Sequence, residues 1–175
     1  MMKITLKDLR KIIREESSIK RYWGRGGAGI LFTCSEDDTV LLLKRAAWVQ
    51  QGGTWGIPGG AIEDGYYAVP IEDPLPLNFA AFFKAAKREV VEECGSMPRS
   101  FTVVGRTVYE DGGFRYVTFV VDVPLNAKEK WMMSSSDSET DEFVWFPAEE
   151  VHPGASLEGT PLHFGVSYTL THHPV

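Results

Sequence analysis

The stretch that most constrains the fold is Ala80–Cys94, which has no Gly or Pro, is rich in Ala, Lys and Glu, and is followed at once by Gly95. Such residues lose little conformational freedom in a helix, and a glycine accepts the left-handed turn that ends one. The segment therefore predicts a helix, and Glu89, Glu92 and Glu93 project from one face of it because residues three and four apart are neighbours. Each like-charge pair of this kind costs an exposed helix only about 0.2–0.5 kcal/mol, so a solvated acidic face balanced by Lys84, Lys87 and Arg88 is tolerable. The other reading is a site for a hard divalent cation. Mg²⁺ takes oxygen donors in octahedral array, a few carboxylates completed by water and substrate phosphates. Upstream, VQQGGTWGIPGGAIEDG (49–65) is dense in Gly, so its backbone bends tightly or approaches something closely, and it can lend a carbonyl.

The rest of the chain sets the frame for that helix. Its 175 residues suit one domain with one core, and 43% hydrophobic residues suffice to build it. A net charge of −6 argues against a general nucleic-acid binder, which holds phosphates through excess Lys and Arg. Two cysteines, Cys34 and Cys94, are no disulfide framework; with no signal-like leader, a cytoplasmic location is expected. No run approaches the ~18 apolar residues of a membrane span.

Residues 1–23 read as an amphipathic helix and lead-in, with Leu6, Leu9, Ile12 and Ile13 on one stripe. From residue 24 the pattern changes to β. Ala28–Cys34 and Thr39–Arg45 flank a polar turn as a hairpin, Phe101–Tyr109 and Phe114–Val123 flank EDGG as a second, and Glu142–Phe146 is a fifth strand candidate. SSSDSETDE (134–142) reads as a polar loop, and the tail from Leu162, with His172 and His173, shows no zinc-ligand spacing.

Arg88-Glu89-Val90-Val91-Glu92-Glu93-Cys94-Gly95 resembles the core of the Nudix box, Arg-Glu, an aliphatic residue, any residue, Glu-Glu, any residue, Gly. TWGIPGGAIEDG before it resembles the Trp-x-x-Pro-Gly-Gly approach to that box, and VLLLKR, YVTFVVDV and ETDEFVWFPAEEV resemble flanking Nudix elements, so the likeness runs from about Ile30 to Val151. It implies an α/β fold, an α/β/α sandwich with a central mixed sheet, over residues 24–175. It also implies Mg²⁺-dependent attack of water on a diphosphate linkage in a nucleoside diphosphate joined to another group, with Mn²⁺ as a substitute metal. Glu89, Glu92, Glu93 and the Gly60 carbonyl are the metal ligands so implied, Arg88 orients the glutamates, and Glu139, six residues before Trp145, is the candidate base from a later loop. Arg45, Trp55 and Tyr66 are the candidates for substrate contact, with Trp48 and Tyr67 as further aromatics near the glycines. The implied partner is a small nucleotide; long nucleic acid is disfavoured and a homodimer is left open.

The chain departs from the pattern in one place that matters. Gly60 and Arg88 are separated by 27 residues where the family has 13, and Tyr66 stands where the box has Glu. An insertion at about 66–79, with Pro70, Pro74 and Pro76, brings Glu72 and Asp73, either of which could replace the missing Glu or be a solvated loop acid. Ser96 also stands where an aliphatic residue is usual. These departures keep two alternatives open: a Nudix-fold binding module with little or no turnover, and a metal-dependent isomerase on the same fold, for which Cys94 inside the box helix is poorly placed.

Overall fold

The computed structural model describes residues 26–49, 51–62, 78–134, 139–173 and 175. The N-terminal helix expected over 1–23, Tyr66, Tyr67, Glu72, Asp73 and nearly all of the insertion lie outside them. Both expected hairpins form. Strands β1 (Gly26–Cys34) and β2 (Thr39–Arg45) join through a turn with Asp38 at φ 55°, and β5 (Thr102–Asp111) and β6 (Phe114–Asp122) join through Gly112 and Gly113 at φ 52° and 83°. Two successive positive φ angles suit the turn that matches strand twist, and glycine adopts them without strain. Between the hairpins lie β3 (Trp55–Gly56), β4 (Gly59–Ala61) and helix α1 (Phe79–Cys94). After them come the short helix α2 (Leu125–Lys128), β7 (Thr140–Pro147), the two-residue strands β8 (Ser156–Leu157) and β9 (Thr160–Pro161), and helix α3 (Phe164–His172).

The sheet is mixed. Strand β1 runs parallel to β6 from Gly26↔Arg115 to Thr33↔Asp122, and its other partners are antiparallel. Strand β2 pairs with β1 only through Thr39–Leu41 and then diverges from it. The chain from Trp55 to Ala61 fills the wedge that opens, β3 against Leu43 and Lys44 of β2, β4 against Gly27–Gly29 of β1. Strand β7 lies along the other edge of β2, and β5 borders β6.

Strand alternation sorts the side chains into two cores. Ala28, Ile30, Phe32, Leu41, Leu43, Val117, Phe119 and Val121 face α1, which buries Phe82, Ala85, Ala86, Val90 and Cys94 against them. Leu31, Val40, Leu42 and Val120 face the other way, onto Val166 and Leu170 of α3. The result is the expected α/β/α sandwich. Helix α1 begins one residue earlier than the composition suggests, because the Asn78 side chain accepts the Ala81 N–H at 3.2 Å, and Gly95 ends it at φ 80°.

Candidate active site

Strand β4 is short, and its first two residues have no side chains. Three consecutive β4 residues each hold one side chain from α1. Glu93 reaches Gly59, whose N–H donates to its Oε2 at 3.2 Å. Glu89 lies against Gly60 so closely that a Cβ there would collide with its carboxylate. An Arg88 guanidinium N–H donates to the Ala61 carbonyl at 2.8 Å and to Glu89, and Arg88 Nε lies 3.5 Å from Glu92 Oε1. This zipper explains why Gly59 and Gly60 are glycines, and it ties Arg88 to the Ala61 carbonyl and to two of the glutamates. It also separates the glutamates: the Glu89 and Glu93 side chains are largely buried, while that of Glu92 is 56% exposed.

The site is electrostatically tense. Burial pushes the Glu89 carboxyl above its usual range; hydrogen bonding and charge from Arg88 pull it down without prevailing, and the carboxylates of Glu92 and Glu139 add to the rise. Tyr116, on β6, feels the same charges. Burial drives its phenol well above the ordinary tyrosine range, Glu93 and Glu89 add to that, and Arg45 opposes it.

A hard cation suits this donor chemistry, since it would relieve a buried carboxylate pressed by two others. Among the described residues no group of three His, Cys, Asp or Glu side chains is gathered closely enough to enclose a metal ion. Glu89 and Glu93 lean onto β4 and Glu92 faces outward. The set therefore fits a Mg²⁺-like ion that completes its shell with water and substrate phosphate better than an all-protein cage.

Of the residues singled out from sequence, Gly60, Arg88, Glu89, Glu92 and Glu93 are brought together. Glu139 enters β7 within electrostatic reach of Glu89, and its backbone carbonyl accepts the Ala46 N–H at 2.8 Å. Arg45 precedes that contact, and its charge reaches Tyr116 and His163. Trp55 is different. It is fully buried, its indole N–H donates to the Leu157 carbonyl at 3.1 Å, and its ring packs edge-on to Phe146 at 4.8 Å. Its nearness to the glycines in sequence does not put it at the surface of the site, so the substrate-contact role expected for it does not fit. Trp48, on the loop tied to Glu139 through Ala46, is 65% exposed. Tyr66 lies outside the described residues. Sequence reasoning passed over Tyr116, whose only signal is its register opposite Gly27, 89 residues away.

Comparison with known proteins agrees with this geometry. Residues 24–164 match the NUDIX domain family model. A putative 8-oxo-dGTP diphosphatase 3 of Mycobacterium tuberculosis is 32% identical over 148 residues, covering 76% of this chain and 59% of that protein. A nucleoside triphosphate pyrophosphatase/Nudix hydrolase fusion protein of Bifidobacterium longum is 32% identical over 139 residues, covering 75% of this chain and 25% of its own length. The chain thus spans between a quarter and three fifths of these relatives. Its fold is similar to the crystal structure of RenU, a Nudix hydrolase from M. smegmatis, with a TM-score of 0.60 at 27% identity over 86% of this chain and 84% of that one. A MutT Nudix hydrolase from Burkholderia pseudomallei shares the fold at a TM-score of 0.53 and 22% identity, over 85% and 97% of the two chains. With the family match covering most of its length and the Arg88–Gly95 box zipped onto β4, this chain belongs to the NUDIX family.

Proposed function

We propose that the protein hydrolyses a diphosphate linkage in a nucleoside diphosphate joined to another group, with Mg²⁺ or Mn²⁺ as cofactor. The observation that carries this reading is the pair of carboxylates, Glu89 and Glu93, packed on Gly60 and Gly59 with Glu92 and Glu139 close enough to disfavour further negative charge. In this reading Glu89, Glu92, Glu93 and the Gly60 carbonyl hold the cation, and Arg88 keeps Glu89 and Glu92 oriented. A bound divalent cation neutralises phosphate oxygens and lowers the pKa of water. Glu139 takes the proton as water attacks phosphorus and the P–O bond to the leaving phosphate breaks. The relatives named as an 8-oxo-dGTP diphosphatase and as a nucleoside triphosphate pyrophosphatase fusion support a small nucleotide as substrate. No helix among the described residues is long and apolar enough to cross a membrane, and the two buried cysteines, Cys34 and Cys94, neither of them in a disulfide, suit our assignment to the cytoplasm.

The test is release of phosphate or nucleotide from a panel of diphosphate-containing nucleotides with Mg²⁺ or Mn²⁺, run beside Glu92→Gln and Glu93→Gln. Metal-dependent turnover lost in both variants establishes the hydrolase and its substrate class. One observation favours a second reading: Tyr66 replaces the box Glu, as expected of a nucleotide-binding module. Intact nucleotide binding with no turnover across the panel would select it.

A further inference from the structure

Gly27 and Gly29 of β1 and Gly59 of β4 leave a strip bare of side chains on the sheet face turned away from α1. Tyr116 lies across it. A Cβ on Gly27 would come within 2.7 Å of Tyr116 Cδ2, one on Gly29 within 2.6 Å of the phenol oxygen, and one on Gly59 would collide with that oxygen. The ladder explains the overlap. Gly27 is paired with Tyr116 on one side and Ala61 on the other, and Gly29 is paired with Gly59, so the ring reaches across β1 to β4.

Strand β4 is therefore gripped from both faces. On the α1 side the Glu89 carboxylate fills the room of the missing Cβ of Gly60; on the other side the Tyr116 phenol fills that of Gly59. Having no side chains at 59 and 60, the strand takes its level from these two neighbours and from its ladder to β1. We infer that Tyr116 is a positioning residue for the cation-binding carboxylates: its phenol oxygen, carried across β1 by the ring, fixes the level of Gly59–Gly60. That level in turn sets where the Gly59 N–H holds Glu93 and how far Glu89 advances over Gly60. The inference rests on the reading of Glu89 and Glu93 as cation ligands. Tyr116 acts through β4 and need not touch substrate. Outer-shell supports of this kind govern metal affinity because they orient the ligands without contributing a donor.

The test is Mn²⁺ titration by calorimetry, without substrate, on the native chain, Tyr116→Phe, Tyr116→Ala and Val166→Ala. Val166 lies in the core beneath α3 and serves as the control for general loosening. Tyr116→Phe keeps the ring over Gly27 but loses the oxygen over Gly59, and should bind Mn²⁺ more weakly than the native chain and more tightly than Tyr116→Ala. Tyr116→Ala should bind about 10–100-fold more weakly, the usual loss on removing outer-shell support, while Val166→Ala binds normally. In turnover the Tyr116→Ala loss should appear in kcat and leave the KM for nucleotide in place. Should Tyr116→Ala fail to fold, Tyr116→Leu and Gly29→Ala, which loosen or displace the ring, are read in the same way. Native-like Mn²⁺ affinity in Tyr116→Ala, or in the variants that stand in for it, removes this inference and leaves the cation reading standing, as does an equal loss in Val166→Ala. A native chain that does not bind Mn²⁺ overturns both.

Discussion

Helices α1 and α3 cover the same sheet from opposite sides and are held there by different means. Helix α1 has a polar edge to which we assign the chemistry: Arg88, Glu89 and Glu93 reach three successive residues of β4, while Phe82, Ala86 and Val90 sink into the core beside them. Helix α3 has no such edge. Val166 and Leu170 are buried, Thr169 is paired with Thr107 at 3.3 Å, and Tyr168 donates to the Val108 carbonyl at 3.1 Å. One helix positions charge over a bare strip of backbone, and the other closes the second core. The difference teaches that damage to the two helices should be separable: activity lost without stability in α1, stability lost without chemistry in α3.

The largest effect expected is at Glu93. Glu93→Gln keeps the shape and can still accept the Gly59 N–H, but removes a buried negative charge from the proposed cation site. Losing several kcal/mol of charge stabilisation lowers kcat/KM by about two to three orders of magnitude. The melting temperature should hold or rise, because burying an ionised carboxylate is itself costly. A Glu93→Gln variant that lost stability and kept turnover would break the comparison. Next in size is Leu170→Ala on α3. Deleting its buried side chain should cost about 2–5 kcal/mol in denaturant unfolding, with kcat unchanged at temperatures where the variant remains folded.

How much of this contrast is legible in the sequence follows from the same difference. Helix α1 is readable because its signals are local: Ala, Lys and Glu without Gly or Pro, a stop at Gly95, and carboxylates at helical spacing. Helix α3 is not. Its sequence, FGVSYTLTH, has a Gly near the start and β-branched and aromatic residues through its length, so it is helical because the sheet face needs covering rather than through local preference. Trp55 misleads a linear reading for a related reason. Nearness in sequence to Gly59 says nothing about which face a strand residue takes, and in β3 the tryptophan takes the α3 side. Tyr116 and its three glycines are joined only by strand register, which a linear reading does not supply.

The caps of the two helices sharpen the comparison with pH. Helix α3 is capped by His163, whose Nδ1 accepts the Gly165 N–H at 3.0 Å, which requires a neutral ring. Burial first, and the positive charge of Arg45 second, lower the His163 pKa to about 4. Because the folded pKa lies below the unfolded value of about 6.5, the unfolded chain binds the proton more readily. The stabilisation is therefore complete above about pH 6.5 and is lost as pH falls toward 4. For this half-buried ring the loss should be about 2 kcal/mol, seen as a falling unfolding midpoint over that window. His163→Asn, which keeps a capping acceptor and cannot titrate, should flatten the fall.

Helix α1 is capped by Asn78, which does not titrate, so the corresponding substitution isolates the cap from pH. Asn78 stands at the end of the inserted stretch and accepts the Ala81 N–H, and no acidic residue in the first turn shares the task. Asn78→Ala should cost about 1 kcal/mol at any pH, the smallest effect expected here, and Asn78→Asp should restore it because a carboxylate caps and also favours the positive end of the helix dipole. Three turns separate that end of α1 from Glu89 and Glu93, whose side chains are fixed at β4, and fraying at the first turn leaves those contacts in place. Activity should accordingly follow the folded fraction alone. A fall in kcat of folded Asn78→Ala would show that the entry of the inserted segment into α1 governs the carboxylates, and that the chemistry-bearing helix is positioned from its N-terminus as well as from β4.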